Sequence, residues 1–206
     1  TRIIHFNDLI RGMIEWGEKL IGDLSLAKNL ETPLYNFAAV IDDYETKISH
    51  VIRGEDGIYN TPRQILIQEA IGAKRPIYAH LPFILAADRS KLSKRHGAVS
   101  LLEYKEMGYE PEAMLNFLVL MGWHPPGDKE IVTLDEMISE FDIKKVQKGG
   151  AIFNTEKLDW LNGLYIRKMK AEELFARIVT YLVKAGINTE NCPKNFIEKV
   201  LSLEQE

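Results

Sequence analysis

The sequence predicts an α/β fold in the first half of the chain and an all-α arrangement in the second half. The segments 34–41 and 77–85 are largely apolar runs of strand length, 47–53 is a second, short strand candidate, and a helix is predicted between 47–53 and 77–85. After residue 100, capping boxes and apolar residues at helical spacing indicate helices instead. With 206 residues, the chain can hold one large domain or two to three small ones.

The elements of the first half follow one another as strand, strand, helix and strand. The run 34–41 is almost continuously apolar, which is typical of a strand that is buried on both faces. The helix begins with Asn60 or Thr61 as its cap and Pro62 at its first position, and Gly72 follows its end. Helix capping alone explains these three N-terminal residues. The order of elements is consistent with the second half of a Rossmann fold.

The second half of the chain carries a series of helix signals. Residues 100–103 and 133–136 are capping boxes, and Pro111 opens a helix between them. A short helix is predicted over 155–162 and a long amphipathic helix over 171–185. The expected stops are Gly108, Gly163 and Gly186. The apolar stripes are Met114, Phe117, Leu118 and Met121; Leu134, Met137, Ile138 and Phe141; Leu174, Ile178, Tyr181 and Leu182; and, in a last helix, Phe196, Ile197, Val200 and Leu201.

Composition narrows the class of protein. The 46% of hydrophobic residues allow a buried core, and no apolar run approaches the length of a membrane span. The N-terminus has Asn7, Asp8 and Arg11 where a signal peptide is apolar. Cys192 is the only cysteine, which excludes a disulfide within the chain and a cysteine-based zinc site. We therefore expect a cytoplasmic protein without a bound metal. The net charge of −4 argues against nonspecific binding of polyanions, although the local charge distribution decides whether RNA binds.

A basic segment at 91–97, with the sequence KLSKRHG, carries the clearest chemical signal. On composition alone, such a run is typical of a solvated surface loop. The alternative is a loop that brings two ammonium groups, Lys91 and Lys94, to one polyanion. Ammonium groups stabilise the charge that builds up on a transferring phosphoryl or nucleotidyl group.

Arg53 ends the second predicted strand and is the second candidate. It could form a structural ion pair with Asp42 or Glu55. Alternatively, its guanidinium could grip a carboxylate ligand at the carboxyl end of the strand, where ligands bind in open α/β sheets. Glu55 and Asp56 could themselves form a metal or acid/base pair, or a loop that orients the arginine. The residues alone leave these alternatives open.

In order and spacing, these motifs resemble bacterial glutamyl-tRNA synthetases, which are class I aminoacyl-tRNA synthetases. The resemblance is carried by YNFAAVIDD at 35–43, ISHVIRGED at 48–56, NTPRQ at 60–64, the basic segment at 91–97, WLNG at 160–163 and YIR at 165–167. The basic segment is similar to the second signature of the family, the KMSKS loop, with Leu92 for methionine and Arg95 for the final serine. The resemblance covers essentially the whole chain and is weakest near its end.

The resemblance also implies how the chain is divided. None of the five histidines begins the His-x-Gly-His type signature of the family, so we expect an internal fragment that lacks the first half of the catalytic domain. The implied divisions are 1–33, the end of an inserted acceptor-stem-binding domain; 34–87, the second half of the Rossmann catalytic domain; 88–168, the lysine loop and a helical stem-contact domain; and 169–206, the start of a helical anticodon-binding domain.

The resemblance assigns roles to individual residues. Tyr35, otherwise a core residue, and Arg53 are expected to bind glutamate. Lys91 and Lys94 are the expected catalytic residues, with Lys94 at the α-phosphate of ATP and Lys91 at the pyrophosphate. Ser93 and Glu55 complete the expected ATP site. Trp123, Trp160 and Tyr165 are expected to pack in the core or between domains, with stacking on tRNA bases as the alternative.

The implied activity is that of a glutamate–tRNA ligase, which would use ATP with Mg²⁺, glutamate and tRNA(Glu), and which we expect to be a monomer. Use of tRNA(Gln) as well is left open, and the isolated fragment is expected to be inactive. Two alternatives remain. One is a tRNA-binding module without catalysis, and the other is a glutamyl-queuosine tRNA synthetase-like enzyme. The helical region after the lysine loop argues against the second, because those relatives normally end sooner.

Overall fold

A mixed sheet organises the first half of the chain. The computed structural model describes residues 2–93, 100–127, 129–187 and 199–201. Its strands are β1 (Ile3–Asp8), β2 (Gly12–Gly17), β5 (His50–Gly54) and β6 (Ile77–Leu81). They lie in the order β2-β1-β6-β5 across the sheet. Strands β1, β6 and β5 run parallel, and β2 is antiparallel to β1 at one edge. Two short strands, β3 (Ala27–Asn29) and β4 (Thr32–Pro33), form a separate pair.

The carboxyl ends of the three parallel strands lie along the same side of the sheet, which we call its carboxyl edge. Strand β1 ends at Asp8, and β5 and β6 are in register, so that Arg53 lies opposite His80. Because parallel strands share a direction, polar residues at their carboxyl ends meet at the same edge. The edge therefore collects Asp8, Arg53 and His80 from three distant parts of the sequence.

Two helices belong to the same half of the chain as the sheet, α1 (Tyr35–Glu45) and α2 (Thr61–Ala70), and α2 packs on the sheet. Ile65 of α2 is completely buried and packs with Ile4, Phe6 and Tyr78 of the sheet. This arrangement buries the alternate residues of β1, as expected for a strand with one face on a core.

The second half of the chain is mostly helical. Its helices are α3 (Leu101–Glu106), α4 (Pro111–Leu120), α5 (Leu134–Glu140), α6 (Thr155–Lys168) and α7 (Ala171–Lys184). Strands β7 (Ile84–Leu85) and β8 (Ala151–Ile152) pair in parallel between the two halves. One core cluster joins Met114, Phe117 and Met121 to Leu158 and Leu161.

A second core cluster connects the helical half to the sheet. It joins Ala79 of β6 and Ile10 to Trp123, Val132, Met137 and Val146. Trp123 is almost fully buried in this cluster. The helical half therefore covers the sheet face opposite α2, because Tyr78 and Ala79 are consecutive and point to opposite faces.

Several elements agree with the sequence. Strand β5 and helix α2 form near their predicted positions, with Pro62 in the first turn of α2. Both predicted capping boxes are present, at Ser100 and at Thr133. Gly108 and Gly186 have positive φ angles just after their helices, as glycine stops require.

The predicted strand over 34–41 is wrong, because this segment forms helix α1. Periodicity cannot separate a short apolar run from a helix, and Ala38 and Ala39 favour the helix. Only Val40 of α1 is fully buried, and Tyr35 is 61% exposed. Tyr35 therefore lies on the surface of the first helical turn rather than at the start of a buried strand.

Two predictions in the helical half also fail. Gly163 does not end its helix, since α6 continues to Lys168. A single glycine inside a helix costs only about 1 kcal/mol, which the burial of Leu158 and Leu161 outweighs. In the stripe of α5, only Met137 is buried, because this short helix touches the core with one residue.

The remaining stripes are partly confirmed. Leu118 and Tyr181 are exposed although they lie on predicted inward faces. Phe196 and Ile197 lie outside the described residues, while Leu201 is buried and Val200 is exposed. The division into four segments stays a prediction, but the sheet crosses the proposed boundary at residue 33, since β1 and β2 belong to the same sheet as β5 and β6. Among the described residues, no helix combines the length and apolar character of a membrane span.

The core of the helical half gives a direct stability prediction. Leu161→Ala should lower the free energy of unfolding by about 2–5 kcal/mol, because it leaves a cavity at a completely buried site. Leu102→Ala is the matched control, since Leu102 is 70% exposed on α3 and should change stability by no more than about 0.5 kcal/mol. Urea unfolding measures both. Equal losses for the two variants would show that the core has been misplaced.

Candidate active site

The guanidinium of Arg53 lies at the carboxyl edge of the sheet and is held by four acceptors. Its Nε donates to Nε2 of His80 at 3.2 Å. Its Nη2 lies within hydrogen-bond distance of the carbonyl oxygen of Gly57 (3.0 Å), Oγ1 of Thr61 (2.8 Å) and Oε1 of Gln64 (2.9 Å). Nε and Nη2 of Arg53 make all four of these hydrogen bonds, and Nη1 makes none of the four.

None of these four acceptors, an imidazole, a backbone carbonyl, a hydroxyl and an amide oxygen, carries a formal negative charge. Among the described residues, no ion pair joins Arg53 to Asp42 or Glu55, and Glu55 pairs instead with Arg11 at 2.5 Å. Asp43 interacts electrostatically with Arg53, although no hydrogen bond or ion pair joins these two described residues. Burial raises the pKa of Asp43, and the charge of Arg53 lowers it only in part. The charge of Arg53 is therefore available to an anionic ligand.

A buried carboxylate lies behind His80. Oδ2 of Asp8 is 2.6 Å from Nδ1 of His80, and both side chains are completely buried. Oδ1 of Asp8 accepts hydrogen bonds from the backbone N–H groups of Ile10, Arg11 and His80 at 2.9–3.2 Å. Burial alone would raise the pKa of Asp8, but the hydrogen bonds from His80 and the backbone bring it below its usual value. Asp8 is therefore a carboxylate at neutral pH.

The turn after β5 has a shape that fits the arginine. Residues Glu55–Gly57 form a short 3-10 helix that returns the chain towards the side chain of Arg53. A Cβ on Gly57 would lie 2.7 Å from Cδ of Arg53 and would overlap Nε as well. Glycine is thus required at residue 57 for close approach.

Helix α1 reaches the same site through a side-chain amide. Nε2 of Gln64 donates to Oδ1 of Asn36 at 3.3 Å, while Oε1 of the same amide accepts from Arg53. Tyr35 precedes Asn36 in the first turn of α1. The structure therefore brings the segment of Tyr35 near Arg53, although no contact between these two side chains is observed.

The predicted ATP residue Glu55 is engaged in the scaffold. Besides its ion pair with Arg11, it accepts a hydrogen bond from the backbone N–H of Phe83 at 3.0 Å. Arg11 in turn contacts the carbonyl oxygens of His80 and Lys148. Glu55 thus ties the turn after β5 to the loop after β6, and its role towards ATP stays a prediction.

Lys91 lies beside this turn. Its ammonium group pairs with Asp56 at 3.0 Å and lies 4.6 Å from the ring centre of Phe83. The hydrogen bond from Lys91 lowers the pKa of Asp56 below its usual value. Both groups are more than half exposed, so the pair is weak and can exchange for another anion. Ser93 is exposed in the following loop, and Lys94, Arg95 and His96 lie outside the described residues.

The aromatic candidates for stacking on tRNA have different surroundings. Trp123 is buried in the core, and the hydroxyl of Tyr165 lies within hydrogen-bond distance of Asn116. Both residues therefore pack, as expected. Trp160 is 44% exposed. A mostly apolar cavity of about 610 Å³ lies between α3, α4 and α7 and shares no lining residue with the Arg53 site.

Sequence reasoning missed the groups that hold Arg53. Thr61 was expected only to cap α2, whereas its hydroxyl contacts Arg53 and His80. Gln64 and Asp8 gave no signal of their own. His80 was the one available sign, because a histidine inside the apolar run of β6 must find polar partners when it is buried. Among the described residues, no cluster of three or more His, Cys, Asp or Glu side chains could hold a metal.

Residues 1–160 match the family described as tRNA synthetases class I (E and Q), catalytic domain. Together with the sheet, this match defines one class of protein, the class I aminoacyl-tRNA synthetases. The chain belongs to this family.

Individual relatives agree with this assignment. The chain is 49% identical over 203 residues to a glutamate–tRNA ligase of Aquifex aeolicus and 46% identical over 197 residues to one of Heliobacterium modesticaldum. These matches cover 98% and 96% of this chain but only 42% and 40% of the relatives. The chain thus spans about two-fifths of the length of these relatives.

Solved structures agree with the fold. A glutamate tRNA ligase from Elizabethkingia meningosepticum, crystallised in complex with its amino acid, superposes with a TM-score of 0.90 at 37% identity. The superposition covers the whole of this chain and 44% of the crystallised protein. A glutamate-tRNA synthetase from Elizabethkingia anophelis gives a TM-score of 0.89. The mixed sheet and the helices within residues 1–160 therefore form part of a Rossmann-like class I catalytic domain.

The close approach at Gly57 yields a second prediction. Gly57→Ala should lower the free energy of unfolding by about 1–3 kcal/mol, because the new methyl group overlaps Arg53 and forces the guanidinium away from its acceptors. Gly149→Ala is the control, since a Cβ there meets no atom within 4 Å. Thermal unfolding of both variants measures the difference. A Gly57→Ala protein as stable as the control would show that Arg53 does not lie against this turn.

Proposed function

We propose that this chain is part of a glutamate–tRNA ligase, in which it supplies the glutamate-binding arginine and part of the ATP site. The single observation that carries this proposal is the state of Arg53. A guanidinium at the carboxyl edge of an open sheet, surrounded by uncharged acceptors, is suited to bind a carboxylate ligand. The naming of the relatives as glutamate–tRNA ligases supports the choice of ligand.

The donor inventory of Arg53 explains how it would serve two purposes. An arginine has five N–H groups. Nε and Nη2 face the protein, and Nη1 is left to donate to the side-chain carboxylate of glutamate. The hydrogen bonds to the scaffold fix the plane of the guanidinium before the ligand arrives, which lowers the entropy cost of binding. Tyr35, at the start of α1, would form a wall of the same pocket.

The reaction that we propose has two steps. A carboxylate oxygen of glutamate attacks the α-phosphorus of ATP, and pyrophosphate leaves to give glutamyl-adenylate. A hydroxyl of the terminal adenosine of tRNA then attacks the glutamyl carbonyl carbon, and AMP leaves. Little of this chemistry needs a covalent side chain, so positioning and charge stabilisation account for most of the catalysis.

Lys91 and Lys94 are proposed to stabilise the phosphates. Lys91 lies beside the turn that follows Arg53, so its ammonium group is close to the edge where glutamate would bind. It would leave Asp56 when the stronger charge of a triphosphate is present. Lys94 would face the α-phosphate, Ser93 would shape the loop, and Mg²⁺ would be bound mainly through ATP.

The tRNA contacts are also part of this proposal. The helices within 88–168 would contact the tRNA stem, and the segment from 169 would begin the anticodon-binding domain. The substrate would be tRNA(Glu), with tRNA(Gln) as a second possible substrate in a monomeric, cytoplasmic enzyme. A module that binds tRNA without catalysis is the competing function, and the experiment below distinguishes the two.

Substitution of Arg53 tests the proposal in a full-length enzyme that contains this chain. Arg53→Ala should raise the KM for glutamate by an amount that corresponds to about 2–5 kcal/mol, because it removes the cation that would pair with the bound side-chain carboxylate of glutamate. Arg53→Lys should also be poor, since a compact ammonium cannot reproduce the planar fork of donors that spans the scaffold acceptors and the ligand. ATP–pyrophosphate exchange with glutamate and tRNA measures the effect.

Arg63→Ala is the matched control for this experiment. Arg63 lies on the same helix as Thr61 and Gln64, but its guanidinium donates to the carbonyl oxygen of Tyr59 near the surface. This variant should retain the parental KM for glutamate. A module without catalysis would show no exchange in any variant. Normal exchange with an unchanged KM in Arg53→Ala would remove Arg53 from glutamate recognition.

A further inference from the structure

We propose that Asp8 and His80 are positioning residues for glutamate recognition, and that Asp8 sets the tautomer of His80 which directs Arg53 towards the ligand. This inference rests on the proposed role of Arg53. It concerns two buried side chains that do not touch the ligand. Their contribution would be the direction and rigidity of the guanidinium.

The tautomer of His80 follows from its two partners. Arg53 can only donate, because a guanidinium has no acceptor and keeps its proton in proteins. Nε2 of His80, which lies 3.2 Å from Nε of Arg53, must therefore be an acceptor without a proton. The ring proton of neutral His80 then lies on Nδ1, where it is donated to Oδ2 of Asp8 at 2.6 Å.

Asp8 is itself held so that only this arrangement satisfies it. Its Oδ1 already accepts from three backbone N–H groups, at Ile10, Arg11 and His80. Its Oδ2 needs a donor, since a buried carboxylate oxygen without a partner is costly. The backbone of the turn after β1 thus fixes the carboxylate, the carboxylate fixes the imidazole, and the imidazole fixes the guanidinium.

Thr61 supports the same arrangement. Its hydroxyl lies within hydrogen-bond distance of His80 (3.2 Å), Arg53 (2.8 Å) and the carbonyl oxygen of Gly57 (3.3 Å). It can accept from Nη2 of Arg53 while it donates to either of the others. Together, His80 and Thr61 hold the edge of the guanidinium formed by Nε and Nη2. The opposite nitrogen, Nη1, is thereby directed away from the scaffold.

Asp8→Asn tests the inference in a full-length enzyme that contains this chain. The asparagine oxygen should stay with the three backbone donors, so the amide NH₂ should face Nδ1 of His80. His80 must then accept at Nδ1 and carry its proton on Nε2, where it opposes the N–H of Arg53. We expect the KM for glutamate to rise about 10- to 100-fold, the size of one lost hydrogen bond to a charged group, with the KM for ATP nearly unchanged.

A pair of His80 variants separates positioning from a purely structural role. His80→Gln keeps a side-chain oxygen that can accept from Arg53, whereas His80→Leu fills a similar volume without an acceptor. Both variants lose the imidazole and should lose stability, His80→Leu by more because it leaves Asp8 and Nε of Arg53 without that partner, so the KM is measured on folded protein of each variant. Because only His80→Gln keeps an acceptor for Arg53, we expect its KM for glutamate to be at least about tenfold lower than that of His80→Leu.

The outcomes are distinguishable from failure of the proposed function. If Arg53→Ala raises the KM for glutamate and the Asp8 and His80 variants behave as described, the inference stands. If Arg53→Ala has this effect but folded Asp8→Asn retains the parental KM, or the two His80 variants share one KM, the inference is overturned while the function stands. An unchanged KM in Arg53→Ala would overturn both.

Discussion

The carboxyl ends of the parallel strands are organised around a partly buried guanidinium, that of Arg53, which is surrounded by uncharged acceptors. Most arginines at partly buried positions are balanced by a carboxylate, because an uncompensated charge is expensive to remove from water. Arg53 instead donates to an imidazole, a carbonyl, a hydroxyl and an amide. These contacts engage the N–H groups of Nε and Nη2 without neutralising the positive charge of the guanidinium. A positively charged group with a fixed geometry is suited to bind an anion. Binding of an anion would offset the free-energy cost of holding the uncompensated charge.

The topology of the sheet makes this arrangement possible. Three parallel strands deliver Asp8, Arg53 and His80 to one edge, and the in-register pairing of β5 with β6 places the last two opposite each other. The ion pair of Glu55 with Arg11, together with the bond from Phe83, fastens the loops around this edge. Lys91 reaches the same turn through Asp56. The turn after β5 therefore contributes to both of the sites that we propose, the glutamate site and the phosphate site, and places them next to each other.

The sequence was sufficient for part of this picture. Strand β5, helix α2 and the two capping boxes could be predicted because each depends on local chemistry, such as proline in a first turn or serine with glutamate three residues later. Helix α1 could not, because a short apolar run is compatible with both helix and strand until its packing is known. The early end predicted at Gly163 failed for the same reason, since tertiary burial outweighs a single unfavourable residue.

The site divides in the same way. Arg53 and Lys91 could be singled out from residue type and position, whereas Asp8, His80 and Gln64 became part of the site only through pairing and packing between segments far apart in the chain. Gly57 is a similar case, because the need for glycine arises from the side chain of Arg53 rather than from an unusual φ angle.

A crystal structure of the full-length protein with bound glutamate tests the central claim most directly. In that structure, the side-chain carboxylate of glutamate should lie within hydrogen-bond distance of Nη1 of Arg53, while Nε of Arg53 remains bonded to Nε2 of His80. A structure in which another cation binds the side-chain carboxylate of glutamate, while the position of Arg53 is the same as without ligand, would contradict the claim. So would an Arg53 that leaves His80 and Thr61 in order to reach the ligand.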